Sequence, residues 1–372
     1  MKLTIRTSEL TKALYRAQGI AGKKSAFPIL AHVLLDASSK PGSLIVNASD
    51  AEVSISGVYA ADVAVPGRAT VLAKNLYDVA KSLSKESVEL ERLENNMLEI
   101  RSGNSRFRLL GVAPDDFPEM GSWPQGESFV VPSGKMAQMI DRTVLCVSQD
   151  ENRPNLSGIF CEALGAKQLR MVATDGHRLS ASDAKLETSL VLPKGVVVPR
   201  KAFSELRRVL GDEDAANEPV HVAFSGTAGW FRVGAATLCT RLIEGQFPDY
   251  RQVIPSVSEY RVKIGRAVFA EALKRVSLLS QARSHGVKLE FSPSKVTLVA
   301  QDPEQGDASE SVDVEYQGPE LSMGMNARYV LDILNLIPEQ GVLLEFTDDF
   351  SPAVLRPLED PGFLAVVMPM RV

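Results

Sequence analysis

Residues 3–20, LTIRTSELTKALYRAQGI, read as a short alternating strand that runs into an amphipathic helix. Leu10, Ala13, Leu14 and Ala17 share one helical face, and Lys12 and Arg16 are expected to point away from it. The same design returns at residues 129–148, FVVPSGKMAQMIDRTVLCVS, with Met136, Ile140 and Val144 as expected core positions and Lys135 and Arg142 as exposed ones. It returns once more at residues 260–280, YRVKIGRAVFAEALKRVSLLS, where Phe269, Leu273 and Val276 bury beside Lys274 and Arg275. Three copies of one strand–helix unit mean that the chain repeats itself.

Each copy is followed, roughly sixty to seventy residues on, by a second strand-then-helix unit. These are ATVLAKNLYDVAKSL (69–83), GVVVPRKAFSELRRVL (195–210) and LSMGMNARYVLDILNLI (321–337). Period-two sequence such as MLEIRSGNSRFRLL and GWFRVGAATLCTRL comes after them, as strands require. The expected architecture is α+β: three repeated domains at 1–124, 125–255 and 256–372, each with two helices packed on antiparallel sheet of about eight strands. The boundaries fall at the turn-rich stretches GSWPQGES (121–128) and VIPSVSE (253–259).

A chain of 372 residues with 45% hydrophobic and 23% charged residues fits several globular domains. No apolar stretch is long enough to span a bilayer, and MKLTIRTSEL lacks the apolar run of a signal peptide. Cys146, Cys161 and Cys239 show no metal spacing and read as buried thiols, so a cytoplasmic protein without membrane contact is expected. No G-x-G-x-x-G, Walker A or H-E-x-x-H pattern occurs, so no cofactor or metal is expected. The net charge of −5 differs from the basic excess of a conventional nucleic-acid binder. Its distribution is uneven, however. Lys12, Arg16, Lys74, Lys81, Arg142, Lys201, Arg207, Arg208, Lys274 and Arg275 crowd the six expected helices, whereas acids gather in loops and strands such as DPEQGDASESVDVE (302–315). A cationic helical layer suits phosphates.

The segment ATDGHRLS (173–180) sets an acid, a glycine, an imidazole and a guanidinium side by side. A hydrolase or transferase using Asp175 and His177 is one reading. That reading needs a nucleophile or base, an orienting partner and a means of binding substrate in mutual reach; the sequence supplies no cofactor motif or acid pair, and His32, His221 and His285 make no pattern with it. Asp-Gly is a strong hairpin-turn signal, so a turn with locally bonded side chains is the simpler expectation.

These residues, together with FPILAHVLL (27–35), DDFPEM (115–120), QDENRPNLSGIF (149–160), VVPRKAF (197–203), GQFPDYRQVIP (245–255) and the terminal VVMPMRV, closely resemble the bacterial beta sliding clamps, the beta subunits of DNA polymerase III, over essentially the whole chain. The resemblance implies a non-catalytic processivity factor. Two protomers would join head to tail into a six-domain ring around duplex DNA, helices inside and sheets outside.

It further implies a shallow hydrophobic groove that captures a linear motif, a Gln followed by leucine and aromatic positions. The DNA polymerase III alpha subunit, the clamp loader, and other polymerases and repair proteins would carry that motif. Position by position, the groove would comprise Leu156, Thr174, Gly176, His177, Arg178, Leu179, Pro248, Val253, Asn326, Tyr329, Val367, Met368, Pro369, Met370 and Arg371. DNA contacts would be Lys24, Gln149, Arg153 and Lys201, with Lys23 and Lys74 added on charge alone. Arg106, Leu278, Leu279 and Glu304 would lie at the protomer interface. Gln252 stands where many relatives carry arginine, Ala365 where an aromatic is common, and Asn104 where a base is common; Pro352 falls near the groove rim.

Overall fold

A computed structural model describes the chain apart from residues 23–26, 127, 191, 193, 283 and 372. The order strand, helix, four strands, helix, three strands occurs three times. The first copy runs β1 (Lys2–Arg6), α1 (Thr7–Ile20), β2 (His32–Asp36), β3 (Ser43–Ser49), β4 (Val53–Val65), β5 (Arg68–Leu72), α2 (Ala73–Ser82), β6 (Ser87–Arg92), β7 (Leu98–Ser102) and β8 (Ser105–Leu109). The second runs β9 (Ser128–Val131), α3 (Ser133–Val144), β10 (Gly158–Ala163), β11 (Gln168–Thr174), β12 (Arg178–Lys185), β13 (Val196–Pro199), α4 (Arg200–Val209), β14 (Val220–Ser225), β15 (Ala228–Val233) and β16 (Ala236–Arg241). The third runs β17 (Tyr260–Gly265), α5 (Arg266–Val276), β18 (Gly286–Ser292), β19 (Lys295–Asp302), β20 (Gly306–Glu315), β21 (Leu321–Asn326), α6 (Ala327–Leu334), β22 (Gly341–Phe346), β23 (Ala353–Pro357) and β24 (Phe363–Val367). All six strand–helix units expected from the periodicity are present, and in five the helix starts at the residue after the strand.

The chain forms two compact units. One holds Met1–Ala137, Glu187–Val191 and Val198–Leu242; the other holds Gln138–Leu186, Leu192–Val197 and Ile243–Val372. Within the first unit β4 carries β3 along residues 54–60, while its partner elsewhere changes from β16 (residues 53–57) to β1 (residues 61–65). Ladder hydrogen bonds therefore continue from the first copy into the second. Within the second unit β24 of the third copy pairs with β12 of the second, Val367 opposite Arg178 and Phe363 opposite Ser182. The rule is the same at both junctions: the fourth strand of one copy pairs with the last strand of the next. By that rule two edges are left over. β8 pairs only β7 among the described strands, and residues 306–313 of β20 have β19 on one side and no described strand on the other.

The third copy shows how the sequence builds its core. Phe269, Leu273 and Val276 of α5 and Val330, Ile333 and Leu334 of α6 are buried against Val262, Ile264, Leu289, Leu298 and Leu344. Burying a side chain such as Phe269 contributes about 3 kcal/mol. Asn326 starts α6 by accepting from the amides of Arg328 and Tyr329, which satisfies two donors that a helix end leaves open.

Three burial expectations are corrected. Arg16 is buried, its Nε 2.7 Å from Asp212 Oδ2. Arg142 is buried as well, 2.7 Å from Asp360 and with its guanidinium 4.5 Å from the Phe363 ring centre. Each charge is neutralised by an acid distant in sequence, so the core tolerates it. Val144, expected in the core, is half-buried at the end of α3. Cys146 and Cys161 are buried and their thiols are pushed up by burial; Cys239 is half-buried and shifted the same way. Among the described residues no helix is long and apolar enough to cross a membrane.

Candidate functional site

ATDGHRLS is the hairpin between β11 and β12. Asp175 Oδ1 accepts from the amides of His177 (2.9 Å) and Arg178 (3.0 Å), and Thr174 Oγ1 accepts from the amide of Gly176 (3.1 Å). Gly176 has φ +92°, a left-handed conformation that costs glycine nothing. The other Asp175 oxygen takes Arg178 Nε at 3.1 Å. The carboxylate is thus fully used in holding the turn, and neither oxygen is bonded to the His177 imidazole. The hydrolase or transferase reading is not supported. Among the described residues no group of three or more His, Cys, Asp or Glu could hold a metal.

Arg178 is fixed on every side. Its Nη1 lies 2.8 Å from Asp332, its Nη2 donates to the Leu145 carbonyl at 2.7 Å, and its plane covers the Tyr329 ring at 4.3 Å. Burial works against the guanidinium charge, but the hydrogen bond to Asp332 and the Asp175 carboxylate outweigh it and raise its pKa.

Beside this hairpin runs β24. Leu179 stands opposite Val366, and beyond the strand the Met368 amide donates to the His177 carbonyl at 2.9 Å. The Met370 amide then bonds the Gly324 carbonyl at 2.9 Å. The tail and the hairpin wall a concavity of about 190 Å³, closed by Leu156 and by Pro248 and Val253 from the segment after the second copy. Its surface is chiefly apolar, with Met368 and Val253 exposed at its edge. A shallow apolar slot with a flexible thioether at the rim can seat a few peptide side chains and adapt to different ones.

Of the expected groove residues, Leu156, Thr174, Gly176, Arg178, Leu179, Pro248, Val253 and Met368 line this concavity. His177 is exposed next to it, and Tyr329 supports it through Arg178. Asn326 caps α6 instead of facing the slot. Val367 is a correction: its side chain is fully buried in the third-copy core, because alternate residues of β24 face opposite ways. Pro369 and Met370 are half-buried, and Arg371 is exposed; none of the three lines the slot, and neither does Pro352. Asp249, Tyr250 and Val366 line it and were not expected. Val366 was open to detection, since period two places it on the same face as Met368.

Lys24 and Lys23 lie outside the described residues. Lys74 and Gln149 are exposed; Arg153 is exposed and 3.5 Å from Asp150. Lys201 is ion-paired with Asp50. Several helical cations are likewise paired: Lys12 with Asp214, Arg208 with Glu205, Lys274 with Glu271 and Arg275 with Glu310. The positive charge of the helices is therefore partly cancelled by their own neighbours. Arg106 donates to buried Glu99 at 2.6 Å on the open strand β8, Leu278 is exposed, Leu279 is half-buried and Glu304 is exposed.

Sequence models of the three DNA polymerase III beta subunit domains match the chain in order: the N-terminal domain at residues 1–121, the central domain at 130–249 and the C-terminal domain at 251–371. The chain is similar to the beta sliding clamp of Caulobacter vibrioides, 35% identical over 377 residues, and to that of Escherichia coli, 32% identical over 373 residues; each alignment covers 100% of both chains. Among solved structures it is similar to a DNA polymerase III subunit beta sliding clamp from Pseudomonas aeruginosa (TM-score 0.93, 32% identity) and to one from Bartonella birtlesii (TM-score 0.94, 31% identity), again with 100% of both chains covered.

Proposed function

The chain belongs to the DNA polymerase III beta subunit family, and from this membership and the two unpaired strand edges we infer that two copies join head to tail around duplex DNA. It is a sliding clamp, a processivity factor for DNA polymerase III and not an enzyme. Three clamp domains per chain make six in the dimer, and two identical head-to-tail contacts close the ring.

The repeated junction supports this assembly. A turn with the ATDG hydrogen bonds also opens β4: Asp50 Oδ1 accepts from the amides of Glu52 and Val53, and the Arg241 amide donates to the Glu52 carbonyl at 2.9 Å. A third such turn precedes β20, where Asp302 Oδ1 accepts from Glu304 and Gln305. In the first two turns the middle carbonyl receives the amide at the end of the next copy's last strand. In the third, at Glu304, that donor would be the residue after β8 of a second chain, Leu110. Arg106, Leu278 and Leu279 would join Glu304 in this contact, and its acidic strand β20 complements the Arg-rich strand β8.

The groove is the docking site for linear motifs of the polymerase III alpha subunit, the clamp loader, and other polymerases and repair proteins in a cytoplasmic replication machinery. The observation that carries this reading is the apolar slot walled by the ATDGHRL hairpin and the Met368 tail. Pro369, Met370 and Arg371 would meet the peptide beyond the slot. Loose, sequence-independent phosphate contacts from Lys24, Lys74, Gln149, Arg153 and Lys201 would let the ring slide, since exchangeable contacts carry no sequence information.

The test is fluorescence anisotropy with a labelled Gln-Leu-Ala-Leu-Phe peptide on the full chain and on a chain ending at Val367. Saturable binding to the first alone, with dimer mass unchanged, is the expected result. Equal binding to both would remove the groove from this role.

A further inference from the structure

Two walls of the slot, the ATDGHRLS hairpin and β24, belong to one sheet and are fixed by ladder hydrogen bonds. The third wall is the segment 247–253, which supplies Pro248, Asp249, Tyr250 and Val253. It forms a single 3-10 turn, Tyr250–Val253, and no strand. Among the described residues its backbone-to-backbone bonds are local, from Gln252 to Asp249 and from Ile254 to Arg251. Its place on the sheet therefore depends on side chains.

The sheet beneath it is laid out in rows. Glu162, Arg170 and Asp183 stand opposite one another on β10, β11 and β12, and two residues along so do Phe160, Val172 and Ala181. Thr174 opposite Leu179, both lining the slot, makes the next row. Period two puts all three rows on one face. Phe247 stacks on Phe160 with ring centres 4.9 Å apart, and Tyr250 is buried in the same core as Val172, Ala181 and Leu179. The Tyr250 hydroxyl reaches the charged row, where it accepts from Arg170 Nη1 at 3.3 Å and donates to Glu162. Arg170 is itself held by Asp183 at 2.6 and 2.7 Å. Arg251 donates to both Glu162 oxygens, at 2.9 and 2.6 Å. Glu162 thus holds two consecutive residues of the segment, although its own side chain lies outside the slot lining.

We propose that Glu162 is a positioning residue for the groove: by tying Tyr250 and Arg251 to the sheet it sets where Pro248 and Val253 stand, and so which side chains the slot accepts. This rests on the groove as the motif site. The apolar contacts of Phe247 and Tyr250 hold the segment down but carry no direction. The bonds to Glu162 are directional and fix the segment along the sheet. A slot of about 190 Å³ seats few side chains, so a small shift of one wall changes which of them pack well.

The experiment titrates three labelled peptides, the core peptide Gln-Leu-Ala-Leu-Phe and its truncations Gln-Leu-Ala-Ala-Phe and Gln-Leu-Ala-Leu-Ala, against the full-length chain and its Glu162→Leu and Glu162→Gln variants. The readout is the preference for the core peptide over each truncation. A variant that is merely less folded binds all three more weakly in the same proportion and keeps the preference. Glu162→Leu cuts both ties and should lower the preference over at least one truncation by roughly two- to tenfold, the scale of one lost hydrogen bond. Glu162→Gln retains an acceptor for Tyr250 and Arg251 and should restore most of it. If Glu162→Leu does not fold, Tyr250→Phe combined with Arg251→Gln weakens the same ties from the segment's side, and the same preference decides. An unchanged preference, or a Gln variant as impaired as the Leu variant, overturns the proposal and leaves the groove intact. No binding of the core peptide to the parent chain removes the groove reading, and the proposal with it.

Discussion

The amide of Met368 donates to the carbonyl of His177 across 2.9 Å, and the amide of Arg241 donates to that of Glu52 across the same distance. One hydrogen bond, repeated at equivalent places, seats the end of one copy against the turn of the copy before it. At the second place the join also makes a groove, because Arg178 there replaces Val53 and reaches Asp332 and Tyr329.

This pair of turns supplies an internal control. Asp175→Ala removes the oxygen that accepts from two amides and the Arg178 contact, at a cost of about 1–3 kcal/mol, and should weaken core-peptide binding at least severalfold. Asp50→Ala removes the equivalent acceptor of two amides in the first turn, together with the Lys201 ion pair, and should lower stability by a similar amount with peptide affinity unchanged. Thermal melts and anisotropy titrations of both variants check this. Equal loss of peptide binding in the two would assign the effect to general destabilisation.

Glu99 gives strand β8 a pH dependence. Hydrogen bonds from Arg108 and Arg106 outweigh burial and, with Arg101, hold its carboxyl down at about 2, against an ordinary 4.5. A folded-state pKa below the unfolded one contributes stability that is complete above the unfolded value and fades as pH falls through the folded value. The contribution should therefore be full above 4.5 and decline toward about 2. Glu99→Gln should melt lower than wild type at neutral pH, and the two melting curves should converge across that window. Parallel curves would show that Glu99 does not supply the acid sensitivity.

Leu278 stands exposed at 76%, as Leu110 does at 75%. Leu278→Glu touches no core contact, so the fold should persist while a charge enters the inferred protomer contact. Sedimentation should then show one 40.3 kDa chain where the parent shows two. A variant that stays dimeric at low micromolar concentration would place Leu278 outside the interface.

Much of this was legible in the sequence for a local reason: period 3.6 after period two marks each strand–helix unit whatever lies around it. The turns were legible too, since Ala48 and Asp50, Ala173 and Asp175, and Ala300 and Asp302 repeat one Ala-x-Asp spacing, but so short a pattern gains meaning only once its hydrogen bonds are seen. Arg16 and Arg142 were misread because their partners, Asp212 and Asp360, lie 196 and 218 positions away. No helical wheel contains that information. Val367 faces the core because alternation puts Val366, not Val367, on the face of Met368, and the pairing of Val366 with Leu179 sets that face beside the hairpin.

Arg178 offers the sharpest test of how the groove is held. Its guanidinium touches Asp175, Asp332, the Leu145 carbonyl and the Tyr329 ring at once, a set of contacts that needs a flat, forked cation. Lys keeps the charge but can neither stack nor reach both acids and the carbonyl together. Arg178→Lys should therefore leave the dimer intact and cost about 1–2 kcal/mol of stability. It should also weaken the core peptide roughly tenfold, the factor that about 1.4 kcal/mol of groove distortion produces. Asp332→Asn, which keeps a hydrogen-bond acceptor, should lose less. If Arg178→Lys bound the peptide as well as the parent, charge alone would explain the position and the planar contacts would have no part in shaping the slot.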